Sequence, residues 1–280
     1  MRTLHVDEIT QAIARAVVDA NTHLPEDVLR ALASALERET SPRGRRFLQV
    51  IIENADLAAT EGLALCQDTG MVVVDLEVGQ EVLLVGGDLM EAVNRGIKQG
   101  YELGFFRRSV VKDPFSRINT GDNTPAILHT SIIPGEGVRM RVLPKGAGSE
   151  NMGRVGMLKP SQGLDGVKDF VLQAVWEAGG NPCPPLIVGV GVGGNMEKAA
   201  LLSKKALLRP LDQRHSHAEM ADLENQLRER INELGIGPQG LGGDTTALAV
   251  NIETYPTHIA CLPVAVNLGC HSTRRVCVEL

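Results

Sequence analysis

Apolar positions recur at helical spacing through the first sixty residues of the chain. Ile9, Ile13, Ala16 and Val17 predict a helix over Glu8 to Ala20, with Asp7 as N-cap. Val28, Leu29, Leu32 and Leu36 predict a second, opened by the proline and acids of Pro25-Glu26-Asp27. Ser41-Pro42 opens a third that runs to Gly62, a natural residue to follow a helix end. Residues 1–62 therefore read as a helical subregion. After Gly62 the pattern changes. Met71 to Val78 is apolar and β-branched and predicts a strand, and Leu89 to Leu103 returns to a helical period. Ile127 to Ile133 and Val138 to Leu143 flank Pro134-Gly135-Glu136-Gly137, which predicts a β-hairpin. A helix is expected at about 164–178, a buried strand at Leu186 to Val192, and helices near 195–208 and 217–234. Thr246 to Ile252 and Ile259 to Val266 read as the last strands.

Helices first, then strands and helices interleaved, with no repeat and no low-complexity linker, predict a mixed α/β (α+β) fold. A single domain over 1–280 is expected. Of the 280 residues 43% are apolar and 22% charged, ample for a core. The net charge of −6 and the 3% aromatic content argue against nucleic-acid phosphate or stacked bases as a partner. No window approaches the roughly 18 consecutive apolar residues that span a bilayer, so no membrane partner is expected. Met1-Arg2-Thr3-Leu4-His5 leads straight into the helical pattern without the apolar core of a signal peptide, so a cytoplasmic location is expected.

Five cysteines stand at 66, 183, 261, 270 and 277, with no C-x-x-C pair. Scattered single cysteines are most often small buried hydrophobes, and Cys261 and Cys277 read that way. The other three have more suggestive neighbours. Cys66-Gln67-Asp68-Thr69-Gly70 groups a thiol, an amide, a carboxylate and a hydroxyl between a helix end and a strand. Cys183 is presented by the stiff Asn181-Pro182-Cys183-Pro184-Pro185 loop, and Cys270 lies in Leu268-Gly269-Cys270-His271-Ser272-Thr273-Arg274-Arg275 beside a cationic pair. Three thiolates at loop edges suit zinc with one open position, or a cubane iron–sulfur cluster with one iron lacking a protein ligand. Spacing alone does not choose between them.

Gly189-Val190-Gly191-Val192-Gly193-Gly194 satisfies G-x-G-x-x-G between a strand and a helix. The acid expected about 20 residues on, at the tip of a second strand, is missing. A nucleotide-binding oxidoreductase is therefore a remote alternative to a turn that lets strand and helix pack closely. Polar loops at Phe106-Arg107-Arg108-Ser109, Asn119 to Thr124, Lys145 to Asn151 and Gly242 to Thr246 alternate with buried strands, and His258 opens the strand that leads to Cys270. Together they imply a pocket for a small anionic substrate.

Taken in order, Cys66-Gln67-Asp68-Thr69-Gly70, the run from Asn119 to Pro125, Gly148-Ser149-Glu150-Asn151, Cys183-Pro184-Pro185, Gly235-Ile236-Gly237-Pro238-Gln239-Gly240 and Cys270-His271 resemble the class I, iron–sulfur-dependent fumarate hydratases. The resemblance covers essentially the whole chain and is to the cluster-binding region that forms the α subunit of two-subunit members. L-tartrate dehydratase α subunits share the framework, but Ser149-Glu150-Asn151 and Cys270-His271-Ser272 look fumarase-like. The resemblance implies a [4Fe-4S] cluster on Cys66, Cys183 and Cys270. It implies a dicarboxylate pocket lined by Gln67, Asp68, Arg107 (or its neighbour Arg108), the Gly148 backbone and His258, with Asp68 as proton donor to the departing hydroxyl. Single-chain members continue into a second domain that supplies the base, whereas this chain stops five residues after Arg275. A separate β subunit in an α₂β₂ assembly is therefore expected, with little hydratase activity from this chain alone.

Overall fold

The computed structural model describes residues 1–280. In chain order its elements are β1 (Arg2–His5), α1 (Val6–Thr22), α2 (Glu26–Arg38), α3 (Pro42–Glu61), β2 (Met71–Gly79), β3 (Val82–Val85), α4 (Leu89–Leu103), β4 (Ile127–Ile133) and β5 (Val138–Lys145). There follow α5 (Ala147–Glu150), β6 (Arg154–Leu158), α6 (Gly163–Ala178), β7 (Leu186–Gly193), α7 (Met196–Ala206), α8 (Ala218–Glu233), β8 (Ala247–Tyr255), β9 (Leu262–Gly269) and β10 (Val276–Glu279). The class is mixed α/β, as the alternating periodicity predicted. No helix is long and apolar enough to cross a membrane.

The chain divides into two compact units. The first comprises Met1–Pro25, Asn54–Ala147 and Arg274–Leu280, and the second Glu26–Glu53 and Gly148–Thr273.

In the first unit a four-stranded sheet runs in the order β10-β5-β2-β4. The centre belongs to β2, which is buried on both faces: Val72, Val74 and Leu76 on one, Val73 and Asp75 on the other. Here the hairpin expected for 127–143 does not form. β4 pairs parallel to β2 and β5 pairs antiparallel to it, so β2 separates the two strands. The Pro134–Gly137 connection instead crosses the end of β2, where Gly79 N–H donates to Gly137 O (2.8 Å) and Gln80 N–H to Ile133 O (2.8 Å). Ile9, Ile13 and Val17 of α1 and Val93, Ile97 and Tyr101 of α4 form the core with the sheet. A methyl at Gly96 would sit 2.6 Å from Thr10 O, so glycine there permits the close α1–α4 approach. The helix α1 starts earlier than predicted and is capped by His5 rather than Asp7. His5 Nδ1 accepts from Asp7 N–H, while Glu8 reaches back to His5 N–H (3.2 Å), a capping box. β1, parallel to β3, adds a short strand to the segment read as wholly helical.

In the second unit the sheet order is β6-β9-β7-β8, with β7 parallel to β8 and antiparallel to β9. Leu186, Val188 and Val190 of β7 pack with Val171 and Val175 of α6 and Leu227 and Ile231 of α8. The alternate positions Gly189 and Gly191 meet α7. Methyl groups there would lie 2.2 Å from Ser203 O and 2.1 Å from Ala199 O. Two residues of the G-x-G-x-x-G pattern thus lie inside a strand, where they let a helix backbone approach. The strand β9 begins at Leu262 rather than Ile259, and β10 follows it where no strand was expected. His258 therefore lies in a turn, closed by Cys261 N–H donating to His258 O (2.8 Å), instead of opening β9.

Candidate functional site

Within the first unit, the Cys66–Gly70 segment is held from all sides. Gly62, at φ +66°, ends the preceding helix, and Leu65 N–H donates to Asn21 O (2.8 Å). Cys66 is half-buried, and its Sγ accepts the Asp68 N–H at 3.4 Å. Such a donor supports negative charge on sulfur. The Asp68 carboxylate is aimed by two backbone donors, Gly70 N–H on Oδ1 (3.1 Å) and Ala147 N–H on Oδ2 (2.7 Å). Gly70 has φ +76°, and a methyl on it would lie 2.5 Å from the Lys145 carbonyl carbon, so only glycine fits.

The rest of the loop is tied down by Tyr101, which sequence reasoning had not singled out, and by side chains to which it gave no such role. Tyr101, fully buried, donates its hydroxyl to Thr69 O (2.6 Å), with Gly70 O at 3.1 Å. Burial pushes its pKa up to about 12, so the hydroxyl keeps its proton. Buried Asn123 donates to Gly70 O (3.0 Å) and accepts from Ser109 N–H (2.6 Å) and Val110 N–H (3.2 Å). Thr69 Oγ1–H donates to Arg107 O (2.6 Å). The polar run from Asn119 to Thr124 was legible as a hydrogen-bonding segment, and its buried member joins the Arg107 segment to the Asp68 loop. Gln67, Arg107 and Arg108 all present exposed side chains. Arg274 is buried, 3% exposed, and its Nη2 donates to Asp68 O.

Within the second unit, Cys183 precedes β7 and Cys270 follows β9. The antiparallel pairing of Ile187 with Gly269 puts both cysteines at the same end of the sheet. Cys183 is exposed and adopts φ +56°, a conformation that non-glycine residues take rarely and mostly where the surroundings enforce it. His271 N–H donates to Cys183 O (3.3 Å), and His271 Nδ1 lies 3.0 Å from the same oxygen. Gln239 donates to Pro184 O through its backbone N–H (2.8 Å) and its side-chain amide (2.9 Å). A methyl on Gly240 would stand 2.5 Å from Gly180 Cα, so the Gly235–Gly240 motif is the bracket of the Cys183 loop. Half-buried Cys270 has Sγ 3.2 Å from Ser272 Oγ.

Gly148 belongs to the same end of this sheet, because β6 pairs with β9 from Arg154 opposite Val266. A methyl on Gly148 would meet only Asn181 O, at 3.8 Å. Next to it, Glu150 pairs with Lys204, and Asn267 Nδ2 donates to the same carboxylate (3.3 Å). Burial pulls the Lys204 amine below its ordinary pKa, and Glu150 opposes that shift. These contacts fix the turn that carries the Gly148 N–H. His258 is placed otherwise. It is exposed and follows β8, at the opposite end of the sheet, and its Nδ1 accepts the Ala260 N–H (3.1 Å). At about 3.3 Å per strand residue, the eight residues of β7 separate it from the cysteine end by roughly 25 Å. Within this unit the structure brings Cys183, Cys270 and Gly148 to one end and leaves His258 at the other.

None of the five cysteines forms a disulfide. No three His, Cys, Asp or Glu side chains stand together as a ready metal-ligating group. The donor chemistry nevertheless fits a thiolate-bound iron–sulfur group. Cys66, Cys183 and Cys270 each lie on a loop braced by hydrogen bonds, and none is sealed in a core. The buried guanidinium of Arg274, against the Cys66–Asp68 loop, has an Nε without a hydrogen-bond partner. A buried cation of this kind favours an anion at that loop.

The family model described as "Fumarate hydratase (Fumerase)" matches residues 10–279. A Methanocaldococcus jannaschii protein, provisionally named as an L(+)-tartrate dehydratase subunit alpha, is 42% identical over 276 residues, covering 96% of each chain. The L(+)-tartrate dehydratase subunit alpha of Escherichia coli K12 is 34% identical over 274 residues, covering 96% of this chain and 90% of the other.

Proposed function

The chain belongs to the fumarate hydratase (Fumerase) family, and from that membership we propose that it is the α subunit of a two-subunit [4Fe-4S] fumarate hydratase, interconverting fumarate and L-malate. The coarser reading, the α subunit of a hydro-lyase acting on a hydroxy-diacid, rests on the family match and on relatives named as α subunits. Cys66, Cys183 and Cys270 are the proposed cluster ligands. When bound, the cluster supplies a Lewis acid for the hydroxyl of malate, which is a poor leaving group at neutral pH. The observation that carries the reading is the Asp68 carboxylate, fixed by Gly70 N–H and Ala147 N–H on the loop that carries Cys66.

In dehydration, a base on the β subunit removes the C3 proton, its electron pair forms the double bond, and the C2–O bond breaks. The departing hydroxyl takes a proton at an Asp68 carboxyl oxygen's expense and leaves as water. Hydration runs the same steps backwards, with Asp68 accepting the proton. Gln67, Arg107 and the Gly148 N–H hold the substrate carboxylates, which need cationic and N–H donors in a site closed to water. His258, at the far end of its sheet, acts in the site of a neighbouring copy in the α₂β₂ assembly.

The test is anaerobic reconstitution of the full chain with Cys66→Ala, Cys183→Ala and Cys270→Ala beside Cys261→Ala, followed by assay with the β subunit. The expected result is cluster loss in the first three, retention in the fourth, and faster turnover of malate and fumarate than of tartrate. Equal retention in all four removes the cluster assignment, and robust turnover by the chain alone removes the two-subunit assignment. Turnover of L-tartrate in preference to malate establishes a second reading, tartrate dehydratase, which the names of the relatives favour.

A further inference from the structure

Arg274 stands out among the buried polar residues because the chain offers its charge no counterpart. It is 3% exposed, its one hydrogen bond runs from Nη2 to the backbone oxygen of Asp68, its Nε has no partner, and no carboxylate lies within ion-pair distance. The contrast is with Arg141, half-buried beside Asp75 (2.5 Å) and Glu77 (2.6 Å), and with Arg209, which meets Glu224 and Glu253; each of these also has an unpartnered Nε, so the difference lies in the carboxylates. Those two guanidinium groups are neutralised by carboxylates of the chain. A neutral donor would serve a single backbone oxygen equally well, without the desolvation of an unpaired charge. Retaining an arginine there makes sense when that loop, whose Asp68 carboxylate lies outside ion-pair distance of Arg274, gains further negative charge.

That loop carries Cys66, whose Sγ accepts the Asp68 N–H (3.4 Å). The Asp68 residue therefore joins Arg274, on its carbonyl side, to the Cys66 sulfur, on its N–H side. We propose that Arg274 is the positioning residue of the Cys66–Asp68 loop and the counter-charge for the anionic thiolate-bound cluster, an inference that rests on the cluster reading above. Sequence reading had assigned this arginine to Cys270, four positions earlier. The fold sends its side chain to the Cys66 loop instead.

The experiment compares the wild-type full chain with Arg274→Gln, which keeps a donor and drops the charge, and Arg274→Lys, which keeps the charge. Each is studied as apo protein and after anaerobic loading with iron and sulfide. Thermal midpoints are read in both states, and iron release to an excess of chelator is followed by absorbance. Outer-shell partners of metal ligands are typically worth 10–100-fold in affinity, so Arg274→Gln should lose iron about 10–100-fold faster than wild type. Its apo form should melt no lower than apo wild type, because an unpaired buried charge has gone. Arg274→Lys should release iron at a rate between the two. Wild-type iron retention in Arg274→Gln, or equal losses of midpoint in the apo and loaded states, overturns the proposal and marks Arg274 as merely structural. Where Arg274→Gln does not fold, Arg274→Lys decides alone: faster iron release with an unchanged apo midpoint supports the proposal, and any other result overturns it. Failure of the wild type itself to take up iron overturns the cluster reading, and this inference with it.

Discussion

Tyr101 offers a direct measure of how firmly the Asp68 loop is held. Its hydroxyl, fully buried at the end of α4, donates to Thr69 O at 2.6 Å, and its ring stands edge-on to Phe106 with centroids 5.8 Å apart. Tyr101→Phe keeps the ring packing and removes only the donor. Gly70 O retains the Asn123 amide, but Thr69 O is left without the hydroxyl, which costs about 1–3 kcal/mol for a buried carbonyl. At about 2–4 °C per kcal/mol for a chain of this class, the thermal midpoint falls measurably at pH 8.

The same residue carries a pH signature with a definite sign. Burial raises its pKa from 10.0 to about 12, so folded and unfolded chains both hold the proton below pH 10 and the stabilisation is complete there. Between 10 and 12 the unfolded tyrosine ionises while the folded one does not. Wild-type stability therefore falls by up to about 1.4 kcal/mol per pH unit across that window. The phenylalanine variant lacks this loss. Denaturant unfolding of both proteins from pH 8 to 11 should show the stability gap shrinking by about 1.4 kcal/mol by pH 11. Other titrating groups are common to both proteins and cancel in the difference. A gap that stays constant over the whole range would refute the burial argument for Tyr101.

Further outcomes follow from the same geometry. Asp68→Asn should lower turnover with the β subunit by about 10²–10⁴-fold while iron content is retained, because the proton-exchanging group is lost and the thiols are not; iron loss in step with activity counts against that division. Gly148→Ala, whose methyl would meet only Asn181 O at 3.8 Å, should leave the thermal midpoint unchanged and still raise KM for the dicarboxylate; an unchanged KM removes Gly148 from the substrate site. Gly191→Ala, with a methyl 2.1 Å from Ala199 O, should destabilise the chain by about 1–3 kcal/mol or more in unfolding measurements, and tolerance of it would contradict the packing account of these glycines. Mixing inactive Asp68→Asn and His258→Asn chains before assembly should restore activity, since a mixed pair keeps one site with both native groups; no recovery places both residues in a single copy's site.

How much of this was legible in the sequence depended on the range of the interaction that decides each element. The 3.6-residue period located α4 to the residue and α3 nearly so, because amphipathic burial repeats locally. The strand segments at 127–133 and 138–143 were legible for the same reason, the second running two residues further in the structure. Their pairing was not, since it depends on β2, more than fifty residues earlier, being buried on both faces and claiming the centre of the sheet. A proline-glycine turn between two strands is a local hairpin signal, and a more deeply buried third strand overrode it.

The candidate site divides along the same line. The groups that could do chemistry were visible because thiol, amide and carboxylate side by side in a turn are unusual company. The groups that hold them were not, because each acts across a long stretch of chain through a backbone atom that carries no sequence signature. Tyr101 reaches Thr69 O, Asn123 reaches Gly70 O, and Arg274 reaches Asp68 O across 206 residues. Three side chains from three separate segments converge on three consecutive carbonyls. A surface turn would leave those oxygens to water. Here buried donors fix each of them, so the Cys66 sulfur and the Asp68 carboxylate take their directions from the core of their unit rather than from the loop's own torsions. The same dependence explains why G-x-G-x-x-G is a weak signal for a nucleotide. Its glycines answer to the backbone of α7, and a pattern of small residues reads alike whether the close neighbour is a phosphate or a helix.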